Sequence, residues 1–246
     1  MKPLDNATHK IKLQLFLSHN GVCSRRKAFD LIKQGHVKVN GETVDEPSTM
    51  IDPGIDRIFI GSQQVAAKGF EYLMLHKPAG YVTTAEDRFA EKTVFDLLPR
   101  EYRHLASVGR LDKDTEGLLL FTNDGDVAYK LTHPKFNIHK TYFVRIVGRL
   151  EQSGKERIEK GVMIDGEKTA PARIEKVVYK ENVTELLLTI HEGKKRQIRL
   201  MFPKVGHKVL YLKRIAQGPI SLGNLQRGQF RPLTNTEVEE LKNDHA

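Results

Sequence analysis

The sequence predicts an α+β fold in two parts. A small helix-helix-hairpin domain comes first, followed by a larger domain with a mixed, largely antiparallel sheet flanked by helices. Three observations predict it. A capped basic helix runs into an Asn-Gly hairpin before residue 60. The small, polar stretch GSQQVAAKG over 61–69 breaks the pattern. Beyond it, strand-like runs at hairpin spacing alternate with helical stretches.

The elements follow in order. Residues 1–10 are polar and read as a loose arm. Ile11 to Leu17 is short and apolar-rich and reads as a first helix, broken at Asn20-Gly21. Ser24 is placed to cap a second helix from Arg25 to Gln34. Ala28, Leu31 and Ile32 give that helix an apolar stripe, and Gly35 suits the left-handed position beyond its end. Val37-Lys38-Val39, the turn Asn40-Gly41, and Glu42-Thr43-Val44 spell a hairpin. Arg57 to Ile60 is a further strand. We read residues 11–60 as the first domain, 61–69 as a linker and 70–246 as the second. In the second, Tyr72 to Leu75, Leu118 to Thr122, Tyr142 to Val147 and Glu185 to Ile190 read as strands. Tyr81 to Thr84 reads as extended. Helices are expected over Glu151 to Lys160, Gln197 to Val205 and Thr236 to Leu241.

Composition narrows the class. Of 246 residues, 39% are hydrophobic and 29% charged, so the chain can bury a core and is not broadly disordered. Forty Lys and Arg against 31 Asp and Glu leave +9, which favours a polyanionic partner. The single cysteine, Cys23, forms no internal disulfide, which is compatible with a reducing cytoplasm. The polar start gives no secretory signal, and the longest apolar runs fall far short of the roughly 20 residues that span a bilayer, so no membrane partner is expected.

The charge is concentrated. Residues 1–40 carry Lys2, Lys10, Lys12, Arg25, Arg26, Lys27, Lys33 and Lys38 against Asp5 and Asp30. Cations in the first turn of a helix oppose its macrodipole by a few tenths of a kcal/mol, a cost that phosphate contact would offset. A solvated basic helix is the plain alternative. The pattern GVCSRRKAFDLIKQGHVKVNGETV resembles the small RNA-binding module first described in ribosomal small-subunit protein four, across about residues 11–59. That resemblance implies RNA contact through Lys12, Arg25, Arg26, Lys27, Lys33 and Lys38, and no chemistry.

The chemistry is sought in VGRLDKDTEGLLLFTNDGD, residues 108–126, where a loop precedes a buried strand. Asp112, Asp114 and Glu116 are three acids within five positions. Read alone, they fit a solvated acidic turn, a magnesium site on Asp112 and Asp114, or a catalytic carboxylate. The segment resembles the signature of the pseudouridine synthases, in particular the branch that modifies ribosomal RNA at single sites. LHKPAGYVTTAED (75–87) with TVFDLLP (93–99), HKTYFVRI (139–146) and the long run from EGKKRQIRLMF to RPLT (192–234) carry the same resemblance. It implies Asp112 as catalytic carboxylate, Tyr142 as active-site tyrosine and Arg199 as basic partner.

The reaction this implies breaks the bond from ribose C1′ to uracil N1 and joins C1′ to C5. Bond order and atom count are conserved, so no cofactor and no metal are expected. A carboxylate near the ribose can stabilise or trap positive charge at C1′, or remove a proton from the sugar. The tyrosine offers a stacking ring and a hydroxyl for proton transfer. Arg110 is a candidate to fill the space of a flipped uridine, and Lys140 to contact phosphate. Residues 193–236 contain no acid, and Lys194, Lys195, Arg196 and Gln197 join the expected RNA contacts. Phe202, Val205, Val209 and Leu210 interleave with the cations of that run and are expected to tie them to folded elements. Leu200 stands where many relatives carry a second cation. The expected partner is ribosomal RNA or a pre-ribosomal particle, with large-subunit RNA slightly favoured, met by a monomer in the cytoplasm. A noncatalytic ribosome-assembly factor and a metal-dependent hydrolase are the competing readings.

Overall fold

The structure, a computed structural model, describes residues 10–84 and 92–243. The arm over 1–9, with Lys2 and Asp5, and the Ala85-Glu86-Asp87 end of one motif lie outside the described residues. The chain divides into two compact units, each described here by itself.

The first unit begins with β1 (Ile11–Lys12), α1 (Leu13–His19) and α2 (Arg25–Lys33). It continues through β2 (Val37–Val39), β3 (Glu42–Val44), β4 (Met50–Ile51), β5 (Ile58–Ile60) and β6 (Gln63–Val65). The first helix starts two residues later than the apolar run predicts. Ile11 and Lys12 instead pair with Ile51 and Met50, a long-range partner invisible in a local pattern. Ser24 does cap α2, its hydroxyl accepting from the Lys27 N–H at 3.3 Å. Gly35 beyond it is left-handed. Asn40 and Gly41 both take positive φ, 53° and 93°, the twist a two-residue hairpin needs. Leu13, Phe16, Leu17, Ala28, Ile32, Val37, Ile51 and Ile58 close the core.

The span read as a linker is not structureless. Gln63–Val65 form β6, the outer strand of a four-stranded sheet ordered β3-β2-β5-β6. The unit also takes in residues 100–106 and 122–125 from beyond that span. Asn123 explains part of this: its side chain accepts from the Glu71 N–H at 2.8 Å and donates to the His19 and Gly69 carbonyls. Side-chain reach over a hundred residues leaves no mark in composition.

The second unit holds β7 (Tyr72–Lys77), β8 (Ala106–Val108), β9 (Glu116–Thr122), α3 (Gly125–Thr132) and β10 (Lys140–Val147). These are followed by α4 (Gln152–Glu159), β11 (Met163–Ile164), β12 (Glu167–Lys168), β13 (Arg173–Lys180), β14 (Val183–Ile190) and α5 (Gln197–Met201). The unit ends with β15 (Val209–Gln217), β16 (Ile220–Ser221), β17 (Phe230–Pro232) and α6 (Asn235–Asn243). The main sheet runs β13-β14-β10-β15-β9-β7-β17. It is mixed: β15 and β9 are parallel, while β14 and β15 both flank β10 in antiparallel register. Every residue of β9 is buried, as expected of a central strand covered on both faces. Gly117 is required there. A Cβ at that position would sit 2.2 Å from the Arg214 carbonyl oxygen on β15.

Three elements differ from expectation. Helix α3, opened by Gly125, falls where no helix was expected, and Tyr81 to Thr84 contributes only a bridge from Val82 to Thr93. The helix expected over 197–205 is a single α-helical stretch to Met201 followed by a tighter turn over Phe202–Val205, where Pro203 lacks the N–H to continue. Leu210 is exposed rather than interleaved with the core, whereas Phe202 and Val209 are buried as expected.

Candidate active site

The loop from Gly109 to Thr115 joins β8 to β9, and its backbone is held unusually tightly. Five consecutive carbonyls, from Leu111 to Thr115, each accept a hydrogen bond. The Thr83 hydroxyl donates to Leu111 at 2.9 Å. Lys77 Nζ donates to Asp112 at 3.1 Å, to Lys113 at 3.3 Å and to Thr115 at 2.8 Å. Gly80 N–H donates to Lys113 at 2.7 Å, and Arg199 Nη2 to Asp114 at 2.9 Å. The backbone is spoken for, so the half-buried Asp112 side chain is presented from a fixed frame. It lines an open pocket of about 790 Å³ together with Arg110, Tyr142, Lys195, Arg196 and Leu212.

Lys77 is the keystone of that frame. It lies at the end of a strand buried at every position and is itself 0% exposed. A buried ammonium must find acceptors or lose its proton. Here it finds four carbonyls, the fourth being Pro78 at 3.0 Å. Burial nevertheless pulls its pKa down to about 8, against the opposing charges of Asp112, Asp114 and Glu116. The sequence reading assigned Lys77 no role beyond its place in the LHKPAGYVTTAED run. The available signal was a lysine closing the apolar run Tyr72–Leu75.

Tyr142 sits on β10 with 8% exposure, opposite Leu188 on β14 and Arg214 on β15. Arg199, on α5, stands behind the loop. Its hydrogen-bond partner is the Asp114 carbonyl rather than the Asp112 carboxylate, and its buried Nε has no partner in the structure. Burial pushes its guanidinium below its ordinary range, reinforced by Arg196 and opposed by Asp114 and Asp112.

The expected RNA contacts separate into two groups. Arg110, Lys195 and Arg196 are exposed around the pocket, with Arg196 3.7 Å from the Asp114 carboxylate. Lys194, Gln197 and Lys140 are engaged by groups of the protein itself. Lys194 pairs with Glu167 at 2.7 Å. Buried Gln197 donates to Glu192 at 2.5 Å and accepts from the Lys194 N–H, so its amide shapes the loop ahead of α5. Lys140 donates to the Ile138 carbonyl, and burial followed by the charge of Arg214 lowers it to about 8. In the first unit, Lys12, Arg25, Arg26, Lys27, Lys33 and Lys38 are all exposed; Lys33 lies 3.4 Å from Glu46.

A polar pocket with one framed carboxylate, a buried tyrosine and a cationic rim defines an enzyme acting on a polyanion, here carried on a chain that also has a compact basic module. Comparison makes the class specific. Residues 71–204 match the RNA pseudouridylate synthase family, and residues 11–55 match the S4 domain. The chain is 40% identical over 233 residues to ribosomal large subunit pseudouridine synthase B of Bacillus subtilis (strain 168), covering 94% of this chain and 95% of that one. It is 37% identical over 233 residues to an uncharacterized RNA pseudouridine synthase of Aquifex aeolicus (strain VF5), with 94% of each covered. A crystal structure of a pseudouridylate synthase superposes with a TM-score of 0.66 at 33% identity, over 94% of this chain and 99% of that one. The protein therefore belongs to the RNA pseudouridylate synthase family.

Proposed function

We propose that this enzyme isomerises a specific uridine to pseudouridine in ribosomal RNA of the large subunit, in the cytoplasm, with Asp112 as the catalytic carboxylate. The framed backbone of residues 111–115 carries this reading: five bonded carbonyls deliver one carboxylate to the pocket at little reorganisation cost. The relative named for large-subunit RNA supports the substrate. The exposed cations of α2 support an anchoring contact with the RNA.

In the reaction the C1′–N1 bond breaks, the uracil turns, and C1′ joins C5. The proton on C5 leaves and N1 gains one, so atoms and electrons balance within the nucleotide. Asp112 meets the ribose, either bonding to C1′ as the base departs or taking a sugar proton. Tyr142 supplies a ring face for the uracil and a hydroxyl for the C5 proton. Arg110 fills the space of the flipped uridine, and Lys195 with Arg196 meets phosphate. Arg199 acts through the loop, holding the Asp114 carbonyl.

Tritium release from C5-labelled uridine in large-subunit and small-subunit transcripts tests the proposal. Release from large-subunit RNA by the wild type and none by Asp112→Asn, with RNA binding retained, is the expected result. Turnover by Asp112→Asn sinks the assignment of Asp112, and release only from small-subunit RNA moves the substrate.

A further inference from the structure

A second feature of the catalytic unit is not used by the chemistry above. Residues 127–150 contain no acidic side chain. Where α3 ends, three rings gather at the surface. Tyr129 lies 4.8 Å from His133 and 5.8 Å from Phe136, centroid to centroid. Lys135 Nζ stands 4.9 Å from the Tyr129 centroid and 4.7 Å from that of Phe136. Phe136 is half-buried and packs on the core cluster of Val127, Leu131 and Ile138, which anchors the group. Tyr129 is 47% exposed, and His133 and Lys135 are exposed. An open aromatic ring, braced from below and with a cation over one face, is suited to a planar, anion-bearing partner that stacks on the other.

Its place in the unit matters. Tyr129 and Thr132 are three residues apart on one helix and share a face. The Thr132 methyl is the nearest group to Gly109, 3.6 Å from where a Cβ would stand, and Gly109 lines the Asp112 pocket. One helical turn thus links the aromatic group to the loop that presents Arg110 and Asp112. Lys140 follows on β10.

We infer that the Tyr129–His133–Lys135 surface is a stacking platform for an unpaired nucleobase of the RNA, a neighbour of the uridine that enters the pocket. This rests on RNA being the substrate, as proposed above. The Tyr129 ring takes the base face, and Lys135 meets the phosphate beside it. A uridine leaving its stack strands its neighbours, and the platform receives one of them close to the pocket mouth.

The test uses the full chain with Tyr129→Leu, Tyr129→Phe and Lys135→Ala. Each is titrated by fluorescence anisotropy with a labelled oligouridylate and with an abasic ribose-phosphate oligomer of equal length. Base–aromatic stacking predicts that Tyr129→Leu weakens oligouridylate binding by about 5- to 150-fold. The abasic oligomer is unaffected, and Tyr129→Phe restores binding. Lys135→Ala weakens both oligomers. If Tyr129→Leu binds oligouridylate as the wild type does, or loses equally on both oligomers, the platform is wrong. Tritium release run alongside keeps the two readings apart. Turnover without base-dependent loss overturns the platform alone, and base-dependent loss without turnover overturns the enzyme assignment alone.

Discussion

The cations of α2 and those beneath the Asp112 loop are the same residue types in opposite circumstances. Arg25, Arg26 and Lys27 crowd the first turn of a helix, exposed and against its dipole. Lys77 and Arg199 turn inward and spend their donors on backbone carbonyls of the protein itself. The first arrangement suits a partner that arrives from solution carrying phosphates. The second holds four peptide units of the loop in place so that one side chain meets its target in a set geometry. Positive charge in this sequence therefore does two jobs, and burial separates them.

Four changes break or sharpen that comparison. Asp112→Asn removes the group the frame exists to present, and turnover is expected to fall by at least about 10³-fold while RNA binding persists. Lys77→Met nearly keeps the length of the side chain and removes its donors, leaving the Thr115 carbonyl without its partner and the Asp112 carbonyl with only the Thr115 N–H. It is expected to cost about 2–4 kcal/mol in denaturant unfolding and about 100-fold in turnover. A variant with wild-type turnover would show that the loop frames itself without the ammonium.

The third is pH. Lys77 titrates at about 8 in the fold against 10.5 for a free lysine, so the unfolded chain holds more protons between those values. Its titration therefore adds stability as pH rises from about 8 to 10.5, a pH-linked gain that is fully present above pH 10.5, lost as pH falls through about 8, and separate from the hydrogen bonds that Lys77→Met removes. Turnover runs the other way, because the deprotonated amine donates fewer hydrogen bonds to the loop. Single-turnover rates are expected to decline above pH 8, and Lys77→Met to lack that decline. The fourth and smallest effect belongs to the exposed set. Arg25→Ala with Arg26→Ala is expected to reduce the salt dependence of RNA affinity by roughly 0.7–0.9 in logarithmic slope per cation. The unfolding free energy should stay within about 0.5 kcal/mol of the wild type. A large stability loss from this pair would mean those cations serve the fold, as Lys77 does.

The local grammar of the chain determined a good deal by itself. Ser24, Gly35 and the Asn40-Gly41 turn shape α2 and its hairpin through bonds and dihedrals among near neighbours, so they could be read without the fold. The long ordered run of motifs named the family, and the charge-dense stretches pointed to a polyanion. Only the tertiary structure decided what each polar side chain does. Gln197 and Lys140 read as RNA contacts, yet their polar ends meet groups of the protein itself. Ile11 and Lys12 read as helix, yet they pair with a strand forty residues away. Lys77 stood unremarked just past the strand read over Tyr72 to Leu75, yet it organises the loop that carries Asp112. The physical reason is common to all three. A polar group's role is set by which donors and acceptors stand within about 3 Å of it: for Lys77 and β1 these come from distant segments, and for Gln197 and Lys140 the folded backbone brings near neighbours into reach.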